Sequence, residues 1–173
     1  MCGQELIMEI SQNSHHKQGK VSREKLLNWV GLIARLTLGI VLLIAGAIKI
    51  PTPYKAAAAM RAYELLPNSL ASFFGYILPW FEVGLGLLLF LGVALRITGL
   101  IGALLMILFI GAISSAWARG LSIDCGCFGG GGEIDPKDTK YLQEIIRDFG
   151  LAIAGFYLYF RPRTPFALDN RGK

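Results

Sequence analysis

Two cysteines separated by a single glycine, Cys125 and Cys127, have the clearest chemistry in this sequence. Gly126 between them permits the tight backbone turn that brings two sulfurs together. So small a ring departs from relaxed disulfide geometry, and strained, exposed disulfides exchange readily with other thiols. The pair is therefore predicted to exchange a disulfide with a partner protein. Cys127 is expected to attack and Cys125 to resolve, because Asp124 beside Cys125 disfavours its thiolate.

Two other interpretations of the cysteine motif stay open. The cysteines could be small buried residues of a turn, or they could bind a metal ion. Tetrahedral zinc normally has four ligands, whereas here only Asp124 is adjacent and no histidine lies nearby. The sequence therefore predicts no metal site. The third cysteine, Cys2, is expected to remain a free thiol.

Four charged residues lie within apolar stretches, where burial is costly and implies a partner or a function: Arg35, Lys49, Glu82 and Arg147. Glu82 is central in its stretch, so an ion pair with Arg147 across a helix bundle is expected. Glu144, one turn earlier on the same helix, is the alternative partner of Arg147. Arg35 and Lys49 lie near the ends of their stretch and are expected to reach lipid phosphates. Structural pairing and a role in proton or quinone chemistry both stay open.

The composition indicates the solvent in which these residues act. Of the 173 residues, 54% are hydrophobic and 17% are charged, whereas about 25% charged residues are usual in soluble domains. This balance excludes a disordered chain and argues against a nucleic-acid partner, despite the net charge of +5. The apolar surplus predicts an integral membrane protein with lipid as its surroundings.

Four stretches are candidates for membrane-spanning helices, each of which needs roughly 20 apolar residues. They are residues 29–50, 72–93, 97–118 and 141–160. The last is the weakest, because only residues 149–160 are free of charge. The predicted fold is an all-α integral membrane protein, with a four-helix membrane domain at residues 29–160. Residues 1–28 are predicted to be a mobile polar tail and residues 161–173 a second tail, both cytoplasmic.

The distribution of Lys and Arg predicts the orientation, because cytoplasmic loops carry an excess of both. The side that holds both termini receives more of them, which places Cys125 and Cys127 on the outer face. In the first outer loop, residues 54–66 favour a helix that is too short to cross. This segment is expected to lie in the interface, with Tyr54 and Tyr63 among the headgroups. Asp135 is predicted to cap the fourth helix.

The sequence resembles the methylamine utilisation protein MauE family, which belongs with the DoxX-like membrane proteins. The resemblance runs from about Trp29 to Phe160. Its most specific element is Asp124-Cys-Gly-Cys-Phe-Gly129. The other matching residues are Arg35, Ala45-Gly46, Lys49, Tyr63, Leu66-Pro67, Leu78-Pro79-Trp80, Glu82, Arg119-Gly120 and Arg147-Asp148.

This resemblance implies a four-helix protein of the bacterial inner membrane that assists maturation of an exported enzyme of the methylamine dehydrogenase type. It also implies a periplasmic thioredoxin-like partner. The fold is similar to that of vitamin K epoxide reductase, which couples thiols to quinones, so quinone is the candidate cofactor. Cys-x-Cys stands here where that enzyme has Cys-x-x-Cys. The alternatives are a non-catalytic membrane assembly factor or anchor, and a membrane protein that binds a small molecule or lipid.

Overall fold

The computed structural model describes the backbone of residues 2–126 and 130–168, and the side chains of residues 23–126 and 130–168. Within these ranges the chain is mostly helical. The helices are α1 Cys2–Lys49, α2 Pro53–Ala62, α3 Asn68–Leu91, α4 Leu95–Ala118 and α5 Tyr141–Phe160. Between α4 and α5 lie strands β1 Ile123–Asp124 and β2 Gly132–Glu133, followed by a 3₁₀ turn at Pro136–Asp138.

Helices α1, α3, α4 and α5 share one apolar core. Leu38, Leu89, Met106 and Leu158 come from the four helices in turn and meet in this core. Helix α4 packs most extensively on α5, and α1 packs most extensively on α3. Backbone contact brings α1 and α3 together, because a Cβ added at Gly86 would lie 2.8 Å from the carbonyl oxygen of Gly39. Small residues at such crossings are typical of membrane helices.

Of the helices that the structure describes, three are long and apolar enough to cross a membrane. They are the Arg23–Lys49 part of α1, then α3 and α4. Helix α5 has the bounds that the sequence predicted. It is not among the three, because Glu144, Arg147 and Asp148 all lie in its first half. Three of the four predicted spans are thus confirmed as helices that are long and apolar enough to cross, and a membrane crossing by α5 stays a prediction.

The first helix begins much earlier than the sequence analysis expected. Helical structure was predicted only from residue 29, with a polar tail before it, but α1 starts at Cys2. No proline occurs before Pro51, so nothing in this segment removes a backbone donor from the helix. The change from polar to apolar residues near residue 29 therefore located the start of the apolar stretch, but it did not locate the start of the helix.

The connections from α1 to α3 and from α4 to α5 lie at the same end of the bundle, which we call the loop end. Helices α1 and α4 end there, and α3 and α5 begin there. Helix α2 packs on α3 through buried Ala56, Ala57 and Ala59. It ends at Ala62, four residues before the predicted end, because Glu64 takes a left-handed conformation with φ 51°. The end of the bundle at which α3 ends, α4 begins and α5 ends is the opposite end.

The segment between α4 and α5 is a short hairpin. Strands β1 and β2 pair antiparallel, with Ile123 opposite Glu133 and Asp124 opposite Gly132. The Asp135 side chain accepts a hydrogen bond from the Lys137 N–H and caps the 3₁₀ turn. The prediction that Asp135 caps α5 is therefore wrong: Asp135 caps the 3₁₀ turn, and α5 begins after this turn, at Tyr141.

Candidate functional site

The cysteine motif leaves the hairpin directly after β1, and two tyrosines fix its position. The Tyr63 hydroxyl, one residue after α2, donates to the carbonyl oxygen of Cys125 at 3.1 Å. The Tyr141 hydroxyl accepts from the Ile123 N–H at 2.9 Å and donates to the Leu121 carbonyl at 2.7 Å. Both rings pack in a small apolar cluster at the loop end. The backbone that carries Cys125 is therefore tied to both α2 and α5.

A local turn completes the support of Cys125. The Asp124 carboxylate accepts a hydrogen bond from the Gly126 N–H at 2.9 Å, so its side chain closes a turn over the cysteine. Gly126 has φ +70°, and a Cβ there would lie 2.6 Å from the Cβ of Ala59 on α2. Only glycine fits this left-handed position so close to another helix. Cys127 lies outside the residues that the structure describes.

A carboxylate that the sequence analysis did not assign to the motif lies beside it. The ligand-type atoms of Asp124, Cys125 and Glu144 all lie within 4.8 Å of one another. Glu144 is in the first turn of α5, and its Oε2 atom is buried without a hydrogen-bond partner in the described part of the chain. Nineteen residues separate Glu144 from Cys125, so no local spacing could have revealed this group. Two carboxylates and one thiol are side chains that can bind a cation. The same arrangement places the negative charges of two carboxylates beside the thiol of Cys125.

A buried ion pair lies below the motif and corrects one expectation. Lys49 Nζ lies 2.8 Å from both carboxylate oxygens of Glu82, which is fully buried. Lys49 itself is 5% exposed, so it does not reach outward to lipid phosphates. The reason is geometric: helical side chains tilt toward the N-terminus of their own helix. At the end of α1 this tilt directs the ammonium group inward.

The prediction of an ion pair between Glu82 and Arg147 is wrong, because Lys49 is the ion-pair partner of Glu82. Arg147 contacts Asp148, its neighbour in sequence, through Nη2 at 2.8 Å and Nε at 2.9 Å. Asp148 is 1% exposed. The proposed alternative, Glu144 as the ion-pair partner of Arg147, is not among the ion pairs of the described residues. Arg147 therefore brings a charge into the bundle together with its own counter-ion.

Arg35 lies apart from these groups, at the opposite end of the bundle. It precedes Lys49 by 14 residues on α1, which corresponds to about 21 Å of helix. Its Nη1 donates to the Thr164 hydroxyl at 3.0 Å and to the Pro165 carbonyl at 3.5 Å. Burial of this side chain, with protein partners, replaces the expected contact with lipid phosphates. The structure thus separates Arg35 from the other candidate site residues.

An apolar cavity of about 420 Å³ lies at the loop end and is lined by both Lys49 and Cys125. Its remaining walls come mainly from α2, α3 and α4, with Tyr63 and Phe109 among them. Sequence reasoning did not find this cavity, because its walls are apolar residues that periodicity assigns equally well to a packed core. Tyr63, which was predicted to lie among the lipid headgroups, is instead buried beside this cavity, whereas Tyr54 is exposed.

Comparison with known proteins identifies relatives of the chain. The family model described as methylamine utilisation protein MauE matches residues 27–161. A protein named methylamine utilization protein MauE from Methylorubrum extorquens is 37% identical over 110 residues, which cover 62% of this chain and 57% of that protein. A protein of the same name from Methylophilus methylotrophus is 32% identical over 99 residues, or 57% of this chain and 52% of that protein.

These alignments leave part of each relative uncovered. The chain spans about half the length of the curated relatives that it matches. No solved structure matches it. The matched family region includes all the residues of the loop end described above, from Lys49 to Asp148.

Proposed function

Because the chain is a multi-pass membrane protein that belongs to the MauE family, we propose that it is a membrane thiol–disulfide redox component of methylamine utilisation. Cys125 and Cys127 exchange a disulfide with a periplasmic thioredoxin-like protein. This exchange assists maturation of an exported enzyme of the methylamine dehydrogenase type. The observation that carries the proposal is the fixed position of Cys125 at the loop end of the bundle.

That position supports exchange with another protein. The Tyr63 hydroxyl, the Asp124 turn and the β1–β2 pairing hold the backbone of Cys125 in place. A cysteine that only fills a turn would need none of these polar anchors. A fixed thiol with a second cysteine two residues later has the two groups that exchange needs, one to attack and one to resolve.

The exchange step is balanced without any further reactant. The Cys127 thiolate attacks a disulfide of the partner, forms a mixed disulfide and releases one partner thiolate, which takes up a proton. Cys125 then loses its thiol proton and displaces the second partner sulfur, leaving a Cys125–Cys127 disulfide and a reduced partner. The reverse sequence reduces the pair. Asp124 and Glu144 disfavour a thiolate at Cys125, which supports its assignment as the resolving cysteine.

The remaining candidate residues act on the scaffold. Lys49 and Glu82 join α1 to α3 by a buried ion pair. Arg147 and Asp148 allow α5 to enter the bundle with its charges paired. Arg35 holds the segment after α5 against α1. These three contacts position the helices that carry the cysteine motif, and Asp124 shapes the motif itself.

The proposal includes a topology in the bacterial inner membrane. Helix α5 crosses as the fourth span, supported by its extensive packing on α4 and by the paired charges in its first half. Helix α2 lies in the outer interface, where exposed Tyr54 meets the headgroups. Both termini are cytoplasmic. A membrane-impermeant maleimide applied to intact, reduced cells should then modify Cys125 or Cys127 and spare Cys2, whereas the reverse pattern would overturn the orientation.

The exchange itself is tested by trapping the mixed disulfide. Cys125→Ser, which removes the resolving thiol, should accumulate a covalent adduct with a thioredoxin-like protein on a non-reducing gel. Cys127→Ser should accumulate much less, and Cys2→Ser is the matched control that should behave like the unaltered protein. Equal adducts from both variants would overturn the assignment of roles. If neither variant gives an adduct and the double variant still supports enzyme maturation, the protein is an assembly factor without thiol chemistry.

A further inference from the structure

We propose that Asp124, Cys125 and Glu144 form a binding site for a divalent transition-metal ion such as Zn²⁺, which joins the hairpin to α5. The ligand-type atoms of the three side chains all lie within 4.8 Å of one another. Asp124 ends β1 and Cys125 follows it, whereas Glu144 lies in the first turn of α5. The sequence analysis counted only Asp124 beside the cysteines, because Glu144 is 19 residues from Cys125 along the chain.

The charge balance of the loop end favours a cation at this position. Six charged side chains of the described loop end are buried or half-buried: Lys49, Glu82, Asp124, Glu144, Arg147 and Asp148. Two ion pairs account for four of them. The other two, Asp124 and Glu144, form no ion pair within that part of the chain, and they are the carboxylates beside Cys125. Burial of uncompensated charge is costly, and one divalent cation balances the charge of two carboxylates.

Two buried oxygen atoms of α5 give independent evidence for a cation. Glu144 Oε2 and Asp148 Oδ2 are buried, and neither has a hydrogen-bond partner in the described part of the chain. Asp148, which is 1% exposed, lies one turn after Glu144 and therefore on the same face of the helix. Tyr141 lies on this face too, and its hydroxyl bonds to the hairpin backbone. Because buried polar atoms nearly always have partners, this face fits a positively charged ligand.

The types of ligand atom select the kind of ion. Zn²⁺ binds cysteine sulfur and carboxylate oxygen, and zinc sites with three protein ligands keep a fourth position open. Mg²⁺ and Ca²⁺ instead take oxygen ligands. Bonds of about 2.0–2.3 Å place the ligand atoms of a tetrahedral zinc site roughly 3.3–3.8 Å apart. The three side chains therefore need only a small change of torsion angles to close on an ion.

Metal binding changes the state of Cys125. The thiol gives up its proton to solvent, and the resulting thiolate bonds to the metal ion. Without an ion, the two carboxylates disfavour this thiolate, whereas a divalent cation beside them favours it. The site is independent of the proposed thiol exchange, because binding needs neither a partner protein nor Cys127. Where exchange operates, the bound ion withdraws Cys125 from it.

Co²⁺ is the probe that tests the site, because a cobalt–thiolate bond gives a charge-transfer absorption band. The protein is full-length, reduced and held in lipid nanodiscs. It carries Cys2→Ser and Cys127→Ser, so that Cys125 is its one thiol; we call it the single-thiol protein. One equivalent of Co²⁺ should produce the band and Zn²⁺ should displace it, whereas excess Mg²⁺ should leave it unchanged. The absence of a band, or a band that Mg²⁺ removes, would overturn the site.

Two glutamates of this region provide matched variants of the single-thiol protein. Glu144→Gln removes a ligand, so it should weaken Co²⁺ binding by at least the roughly 10- to 100-fold that loss of an outer-shell partner costs. Glu133→Gln removes an exposed carboxylate from β2 of the same hairpin, outside the cluster, and should leave Co²⁺ binding unchanged. Cys125→Ser should abolish the band. Equal affinities of the two glutamate variants, or a band that survives in Cys125→Ser, would overturn the site.

Thermal unfolding keeps the test independent of folding. Metal-free Glu144→Gln should melt no lower than the single-thiol protein, because the change removes an uncompensated negative charge. Zn²⁺ should raise the melting temperature of the single-thiol protein and of Glu133→Gln, since an ion that binds only the folded state stabilises it. It should leave the melting temperature of Glu144→Gln unchanged. A rise of equal size in Glu144→Gln, or a marked loss of its metal-free stability, would overturn the site.

Discussion

The two ends of the bundle each bury one cation of α1, and the two cations have different partners. Lys49, at the loop end, makes an ion pair with the fully buried Glu82. Arg35, 3% exposed at the opposite end, donates to a hydroxyl and a carbonyl oxygen. Its Nε atom has no hydrogen-bond partner in the part of the chain that the structure describes. At the loop end a carboxylate therefore neutralises the charge of Lys49. At the opposite end Arg35 donates to uncharged oxygen atoms of the described residues.

This difference shows that the role of a buried charged residue follows from its contacts and not from its residue type. Both cations come from one helix and both lie within the region that the family model matches, so neither the helix nor the family match distinguishes them. Lys49 borders a cavity that Cys125 also lines, whereas Arg35 contacts the segment that follows α5. We expect Lys49 to affect the stability of the loop end, and Arg35 to affect the packing of the segment that follows α5.

The largest expected effect is the loss of the Lys49 counter-ion. Glu82→Gln leaves an ammonium group buried without a carboxylate, which costs about 3–5 kcal/mol by analogy with buried pairs in soluble proteins. The measurement is thermal unfolding of the purified protein in detergent. The combined variant Lys49→Met, Glu82→Leu removes both charges and should recover much of the loss.

The same measurement identifies the partner of Glu82. A double-mutant cycle between Glu82 and Lys49 should show strong coupling, whereas Glu82→Gln and Arg147→Gln should be nearly additive. Stronger coupling to Arg147 than to Lys49 would contradict the pairing described for the loop end.

The next effect concerns the backbone of the cysteine motif. Gly126→Ala places a Cβ in the left-handed region and against Ala59, so we expect a loss of about 2–4 kcal/mol from strain and overlap together. Gly120→Ala is the matched control, because Gly120 has the same φ of +70° with no atom within 4 Å of the added Cβ. It should lose only about 1–2 kcal/mol. Equal losses in the two variants would show that contact with α2 does not constrain the motif.

A smaller effect is expected at the opposite end. Arg35→Met removes a charged donor from the Thr164 hydroxyl and the Pro165 carbonyl, which should cost about 1.5–3 kcal/mol. Thermal unfolding should therefore place this variant between the unaltered protein and Glu82→Gln. A loss as large as that of Glu82→Gln would mean that the two ends treat their cations alike.

The smallest effect is expected from a single hydroxyl group. Tyr63→Phe removes the hydrogen bond to the Cys125 carbonyl, at a cost of about 0.5–1.5 kcal/mol. Cys125 should also react faster with iodoacetamide, because its backbone is held less firmly. Tyr54→Phe is the control, since Tyr54 is 62% exposed, and it should change neither quantity. Unchanged reactivity in Tyr63→Phe would remove Tyr63 from the support of the motif.

The sequence predicted the helices well because apolar stretches and prolines mark them directly. The bounds of α5 agree with the structure, and those of α3 and α4 differ from the predictions by a few residues. The start of α1 could not be predicted from hydropathy, since a polar segment without proline remains compatible with a helix. The end of α2 depends on the left-handed conformation of Glu64. Glutamate rarely takes this conformation, so the residue type does not predict the end of the helix.

The candidate site was predictable only in part, because its chemistry depends on contacts between distant segments. Cys125 and Asp124 were found from local spacing. The pairing of Lys49 with Glu82 depends on the direction of a side chain at a helix end, which a count of charges does not include. Glu144 and the cavity depend on how α5 and α2 pack around the hairpin, and no periodicity in the sequence reports that packing.

The most direct test of the central claim is a redox titration of the Cys125–Cys127 pair in intact membranes, using the Cys2→Ser background so that only this pair is counted. The fraction of disulfide is measured by maleimide gel shift across a series of thiol buffers. The account predicts a midpoint less negative than about −300 mV, as expected for a disulfide that exchanges with partners. A pair that stays oxidised below that potential, or that forms no disulfide under oxidising conditions, would contradict a thiol–disulfide function.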